Sequence, residues 1–197
     1  MVEVYVEGDL ALFSKPEHPV DRVSYPAPPF SALRGLVEAI LWKRGMRWEV
    51  TNAYVLNPVR YHQIMRNEMD HTQPTNAMQR KSLFLAQVAY VFSAVPVITE
   101  ACDDIDKVAK YEIMLRRYIG QGRCFRRPYL GMRECLAHVG LPPLDWKQKA
   151  ANANKTALDL GTMPHFIPYE EGVPGRTVFA RYAHDPATGR YAPAGVQ

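Results

Sequence analysis

Residues 83–98, "LFLAQVAYVFSAVPVI", are the longest apolar run in the chain, and they limit its architecture before anything else does. The run is interrupted by Gln87, Ser93 and Pro96 and falls short of the ~20 residues a helix needs to cross a bilayer. It reads as a core strand, and partners for it recur along the chain. "VEVYVE" (2–7) sets Val2, Val4 and Val6 against Glu3, Tyr5 and Glu7, the period of a strand with one buried face, and Gly8-Asp9 is expected to end it. "MRWEV" (46–50) and "AYVLNPVRY" (53–61) are two further strand-like pieces.

Two stretches have helical spacing. In "FSALRGLVEAILWKRG", reached through five prolines between Pro16 and Pro29, Leu33, Leu36, Val37 and Ile40 recur on one face. Ser31 is the expected N-cap and Gly45 the stop. Gly35 costs this helix about 1 kcal/mol relative to alanine, which suggests close approach of a strand or a ligand backbone. In "IDKVAKYEIMLRRYIGQG" (105–122), Val108, Tyr111, Leu115 and Tyr118 share one face and Lys110 and Arg117 the opposite one. The order strand, helix, strand, strand, helix, strand is that of an α+β, ferredoxin-like βαββαβ core. The polar interval from His62 to Arg80 is an excursion between strands, a long inserted thumb hairpin at about 60–87. Residues 1–140 form this core, and 141–197 a β-rich C-terminal extension of the same compact unit. Within the extension, 141–159 reads as loose chain and Asp185 to Gly189 as a hairpin turn.

The 197 residues, 47% of them hydrophobic, suffice for one sizeable domain. Cys102, Cys124 and Cys135 form an odd set without C-x-x-C spacing, which supports neither a disulfide framework nor a zinc site and reads as reduced thiols in the cytoplasm. The acidic start "MVEVYVEGDL" has no signal-peptide pattern. His18, His62, His71, His138, His165 and His184 lack metal-ligand spacing, and phosphate-loop and nucleophile-elbow patterns are absent. No cofactor, metal or membrane is expected.

Charge is informative through its position. The net value is only +4, but seven cations lie between Lys110 and Arg133, opposed there by Glu112 alone. The tract "RCFRRPYLGMREC" (123–135) interleaves arginines with Phe125 and Tyr129. Viewed alone it reads as solvated surface charge. Its co-location with the helix ridge and with Arg60, Arg66, Arg80 and Lys81 points instead to nucleic acid: guanidinium groups fork onto phosphates and aromatic rings stack on unpaired bases. Single-stranded RNA suits a ferredoxin-like sheet, which displays bases in the open. The candidate contacts are Arg34, Arg66, Lys81, Lys110, Arg117, Arg123, Arg126, Arg127 and Arg133. About six phosphates neutralised would give a log affinity against log salt slope of roughly −4.

Five ordered segments, "GDLALFSKPE", "RVSYPAPPFSALRGLVEAILWK", "VLNPVRYHQIMRNEM", "AKYEIMLRRYIGQGRCFRRPYLGMREC" and "LGTMPHF", resemble the CRISPR-associated Cas family five proteins of subtype I-C. The resemblance covers nearly the whole chain. It implies a subunit that binds the 5′ handle of CRISPR RNA in the Cascade surveillance complex, beside the backbone subunit and the large subunit. It leaves open whether target DNA touches the thumb. It further implies a metal-independent endoribonuclease that cuts precursor RNA through the RNA's own 2′-hydroxyl. In that pattern an aromatic residue ends the first helix and a Lys-His pair opens the second. Carried across, the lysine is Lys110, while the other two positions hold Leu41 and Tyr111. Leucine transfers no proton, and a phenol with an ordinary pKa near 10 is a weaker acid-base group at neutral pH than imidazole. Leu41, seven residues after Arg34, is expected on an RNA-facing edge of the first helix. Lys110 and Tyr111 are the candidate catalytic residues, with Tyr61 and His62 as possible substitutes for the missing groups. A purely architectural RNA-binding subunit without nuclease activity is the alternative.

Overall fold

The computed structural model describes residues 1–18, 20–69, 77–98, 108–170 and 173–194. His71, Cys102 and the expected start of the second helix at 105–107 lie outside them. In chain order the elements are β1 (Val2–Ala11), β2 (Arg22–Val23), α1 (Phe30–Ile40), β3 (Met46–Val55), β4 (Tyr61–Met69), β5 (Ala77–Ile98), α2 (Val108–Gly120), β6 (His138–Gly140), α3 (Trp146–Ala153), β7 (Thr162–Phe166), β8 (Tyr169–Glu170), β9 (Val173–Pro174), β10 (Val178–Asp185) and β11 (Arg190–Pro193).

The apolar run forms the greater part of β5, around which the main sheet is assembled. Its C-terminal half pairs antiparallel with β1 and with β3, and its N-terminal half pairs with β2 and β4. The strand order β6-β1-β5-β3, with α1 and α2 as crossovers, is the ferredoxin-like arrangement, and β11, β10 and β7 extend the same sheet beyond β3. The turn after Asp185 closes as expected: Gly189 N–H donates to Asp185 O at 2.8 Å and Thr188 Oγ1 to Asp185 Oδ2 at 2.6 Å.

The alternation in β1 puts Val2, Val4 and Val6 wholly inside, against Leu33, Leu36, Val37 and Ile40 of α1 and Tyr111, Leu115 and Ile119 of α2. Ile119 takes the buried place expected of Val108, which is exposed. The opposite face is not open throughout. α3, a two-turn helix in the stretch read as loose chain, covers its middle: Trp146 and Ala150 bury against Leu56, Ala89 and Val91, with Tyr54 edge-on to Trp146 at 4.8 Å. The sequence WKQKAANA has two apolar anchors in eight positions, too few for a periodic signal, so tertiary burial makes this helix.

Several boundaries also move. β1 runs through Gly8-Asp9, because Gly8 is a contact point: a Cβ there would stand 2.6 Å from Leu130 Cδ1 and 2.8 Å from Leu136 O. The 46–50 and 53–55 pieces are one strand with an irregularity between Val50 and Asn52. α1 starts two residues early, with Pro29 at the N-cap, and Ser31 Oγ donates across to Pro164 O at 2.9 Å. The described parts of the expected thumb hairpin are paired strand, β4 against the start of β5 from Tyr61↔Leu85 to Met69↔Ala77, and residues 70–76 lie outside the described residues. Among the described residues no helix is long and apolar enough to cross a membrane.

Candidate nucleic-acid interface

α1 ends at Ile40, and its last carbonyls need partners because no further turn of helix supplies them. The arginine tract supplies two. Arg126 N–H donates to Ala39 O at 2.8 Å and Phe125 N–H to Ile40 O at 3.2 Å. The tract therefore folds back on α1 rather than on α2, and brings cations to the negative end of the α1 dipole. Its far end is seated just past the end of β1: Leu12 N–H donates to Leu130 O at 3.0 Å, and Leu130 N–H to Cys135 O at 2.7 Å. At Gly131, with φ +83°, a Cβ would lie 2.0 Å from Leu12 O, so only glycine lets the loop lie this close.

Between α1 and the tract opens a cleft of about 660 Å³ lined by Gly35, Glu38, Ala39, Trp42, Phe125, Arg126, Arg127, Tyr129, Arg133 and Leu136. Trp42 and Phe125 stack at 6.4 Å between centroids, yet are 53% and 62% exposed, and Tyr129 is 43% exposed. Arg126 lies over the Phe125 ring at 5.4 Å. Among the described residues Arg126, Arg127 and Arg133 form no ion pair. Three unneutralised guanidinium groups beside three exposed rings can hold phosphates and stack bases at once. Gly35 lines this space, and beyond its own helix nothing among the described residues comes within 4 Å of where its Cβ would be, so no described strand approaches it.

The remaining candidates are scattered. Arg123 is exposed, stacks on Tyr118 at 4.7 Å, and lines a smaller neighbouring hollow with Cys124 and His138. Lys110 and Arg117 are exposed on the outer face of α2, the ridge the spacing implies, but they do not line the cleft. Tyr111 is only 8% exposed and packs in the core, so it and Lys110 point apart. Leu41 corrects an expectation: it has left the helix with extended backbone, is 2% exposed, and its carbonyl accepts the Trp48 indole N–H at 2.8 Å, so it faces the core and not RNA. The adjacent Trp42, which sequence reasoning passed over, takes the outward place.

Arg34 is committed within the protein, to Glu38 at 2.8 Å and over the Phe166 ring at 4.9 Å. On the hairpin Arg66 is likewise held, by Glu68 at 2.7 Å and Ser82 Oγ at 3.1 Å. Lys81 is exposed, its backbone N–H bonded to Asp21 Oδ1 at 3.1 Å. Tyr61 and His62 are exposed at the base of the hairpin; partial burial raises the Tyr61 pKa above its usual value. Among the described residues no three of His, Cys, Asp and Glu gather as a metal site.

Comparison with known proteins matches the sequence to a family. A family model described as "CRISPR-associated protein (Cas_Cas5)" matches residues 1–181. A protein of Mannheimia succiniciproducens named CRISPR pre-crRNA endoribonuclease Cas5d is 33% identical over 196 residues, covering 87% of this chain and 86% of its own length. One of the same name from Thermus thermophilus is 36% identical over 182 residues, covering 89% and 76%. Among solved structures, one described as a CRISPR-associated protein superposes with a TM-score of 0.73 at 27% identity, covering 96% of this chain and 89% of the other. The functionally uncharacterized SMU1763c from Streptococcus mutans gives 0.70 at 22% identity, a likeness of fold alone.

Proposed function

The chain belongs to the Cas5 family of CRISPR-associated proteins, subtype I-C, and from that premise we propose that it binds CRISPR RNA in the cleft between α1 and the arginine tract and cuts the precursor transcript. The cleft carries this reading: Arg126, Arg127 and Arg133, without an ion-pair partner among the described residues, stand beside Trp42, Phe125 and Tyr129, a surface made for single-stranded RNA. The relatives named as pre-crRNA endoribonucleases support the cutting step. In it a ribose 2′-oxygen loses its proton and attacks the adjacent phosphorus, the 5′-oxygen leaves and takes a proton, and the products are a 2′,3′-cyclic phosphate and a 5′-hydroxyl. Lys110, exposed on α2, offsets the charge that builds on the phosphorane oxygens. The protein then stays on the 5′ handle in the cytoplasm within a surveillance complex, beside its backbone and large subunits, with the hairpin as a thumb over the RNA and Lys81 as its cationic contact. Residues 141–197 complete one unit with 1–140.

A second reading, an RNA-holding subunit without nuclease activity, rests on one observation. Positions 41 and 111 are 2% and 8% exposed, so neither faces a phosphate at the surface. Incubating the protein with its cognate repeat RNA in EDTA separates the two. A single cut with a 2′,3′-cyclic end is the expected result, and uncut RNA at saturating binding establishes the architectural role. Lys110→Ala is expected to abolish cutting and change affinity by no more than about threefold; parallel loss of both makes Lys110 a phosphate contact only.

A further inference from the structure

α1 carries two stripes. Leu33, Leu36, Val37 and Ile40 face the core, while Gly35, Glu38, Ala39 and, just past the helix end, Trp42 face the cleft at spacings of three, four and seven. Gly35 and Ala39 keep that wall low, and with open space around Gly35 no packing among the described residues accounts for the glycine. A planar ring lying on the exposed Phe125 would meet this wall edge-on.

Glu38 is the single acidic group among the residues lining the cleft. Its Oε1 accepts from Arg34 Nε at 2.8 Å, and Arg34, 19% exposed, is itself fixed over Phe166. The carboxylate is therefore oriented, and among the described residues it pairs with none of the three cleft arginines. A carboxylate has about four acceptor sites, so Oε2 and part of Oε1 remain available. An anion here repels every phosphate the arginines attract, and is repaid only by a ligand group that brings donors. Among the four bases, guanine alone offers two adjacent donors on its Watson–Crick edge, N1–H and the N2 amino group. Adenine and cytosine set a ring acceptor beside their amino group, and uracil flanks one N–H with two carbonyls; each of these meets a carboxylate less well.

We propose that Glu38, positioned by Arg34, makes the cleft selective for an unpaired guanine stacked on Phe125, with Arg126, Arg127 and Arg133 holding the flanking phosphates. The proposal rests on the cleft being the RNA site, and its test separates the two ideas. Labelled pentaribonucleotides UUXUU, with X as guanine, inosine, adenine, cytosine or uracil, are titrated with the protein at one salt concentration and followed by fluorescence anisotropy. The guanine probe is expected to bind about tenfold tighter than the adenine, cytosine and uracil probes, as one well-made two-point base contact warrants. Inosine, lacking the N2 amino group, is expected to lose about threefold. Glu38→Gln is expected to bring all five within about twofold while leaving the uracil probe at least as tightly bound. Arg34→Met, which frees the carboxylate, is expected to weaken discrimination without changing the salt slope. Equal wild-type affinities, or a guanine preference that survives Glu38→Gln, overturn the proposal and leave Glu38 as a helix ion pair in an RNA-binding cleft. Failure of every probe to bind overturns the RNA reading of the cleft along with it.

Discussion

On the hairpin side, Arg22, Arg66 and Arg80 converge on Glu68 at 3.7, 2.7 and 3.5 Å; in the cleft, Arg126, Arg127 and Arg133 converge on open space. The hairpin arginines lie across β2, β4 and β5, and Arg66 and Arg80 are direct cross-strand neighbours. Like charges in that position repel, and Glu68 together with Ser82 offsets the repulsion. The cleft arginines are held by their backbone instead, through bonds from the tract to α1 and to Leu12 just past β1, and among the described residues their guanidinium groups form no ion pair. Equal counts of arginine thus serve opposite ends. One set shares a carboxylate to fix a shape; the other keeps its charge for a ligand.

The sharpest way to break this contrast is Gly131→Ala. With a Cβ 2.0 Å from Leu12 O and a left-handed backbone to maintain, the tract must lift from β1. A loss of about 3 kcal/mol is expected, read as a fall in Tm of about 10 °C, with RNA affinity falling too. Wild-type melting would mean that the loop is not anchored there. Next, Arg126→Ala with Arg127→Ala is expected to weaken single-stranded RNA binding about tenfold or more and to reduce the salt slope by about 1.4, with Tm nearly unchanged. Arg66→Ala inverts that pattern: a stability loss of about 1 kcal/mol, because Glu68 and Ser82 lose a charged partner, with RNA affinity within about twofold. An RNA defect of the cleft's size at Arg66 would erase the distinction between the regions. The smallest effect is at Lys81→Ala, where the salt slope is expected to fall by about 0.7 with no measurable shift in Tm.

Much of the frame is legible in residue order. The alternation of Val2, Val4 and Val6, the four-residue stripe of α1 and the uncharged run of β5 each dictate a buried face, because a strand or helix lacking one has nothing to hold it in place. The cationic tract is equally plain. What it faces is not, since the spacing gives no reason for residues 125 and 126 to cap α1 rather than continue alongside α2. Leu41 and Trp42 illustrate the limit: adjacent apolar residues at a helix end, one buried with its carbonyl accepting the Trp48 indole N–H and the other half in solvent. Helical periodicity assigns both to the helix edge, whereas the extended backbone at Leu41 turns one inward and one outward.

By itself the amino-acid order determined the ferredoxin-like succession of elements, the buried valines and the concentration of arginine after the second helix, because these follow from local period and composition. Tertiary structure alone decided which arginines are ion-paired, where Leu41 points, that α3 exists, and that Glu38 stands in the cleft. Each of these depends on partners distant in the chain, such as Phe166 under Arg34 or Leu12 against Gly131, and the free energy of such contacts is set by three-dimensional proximity that no sequence window contains.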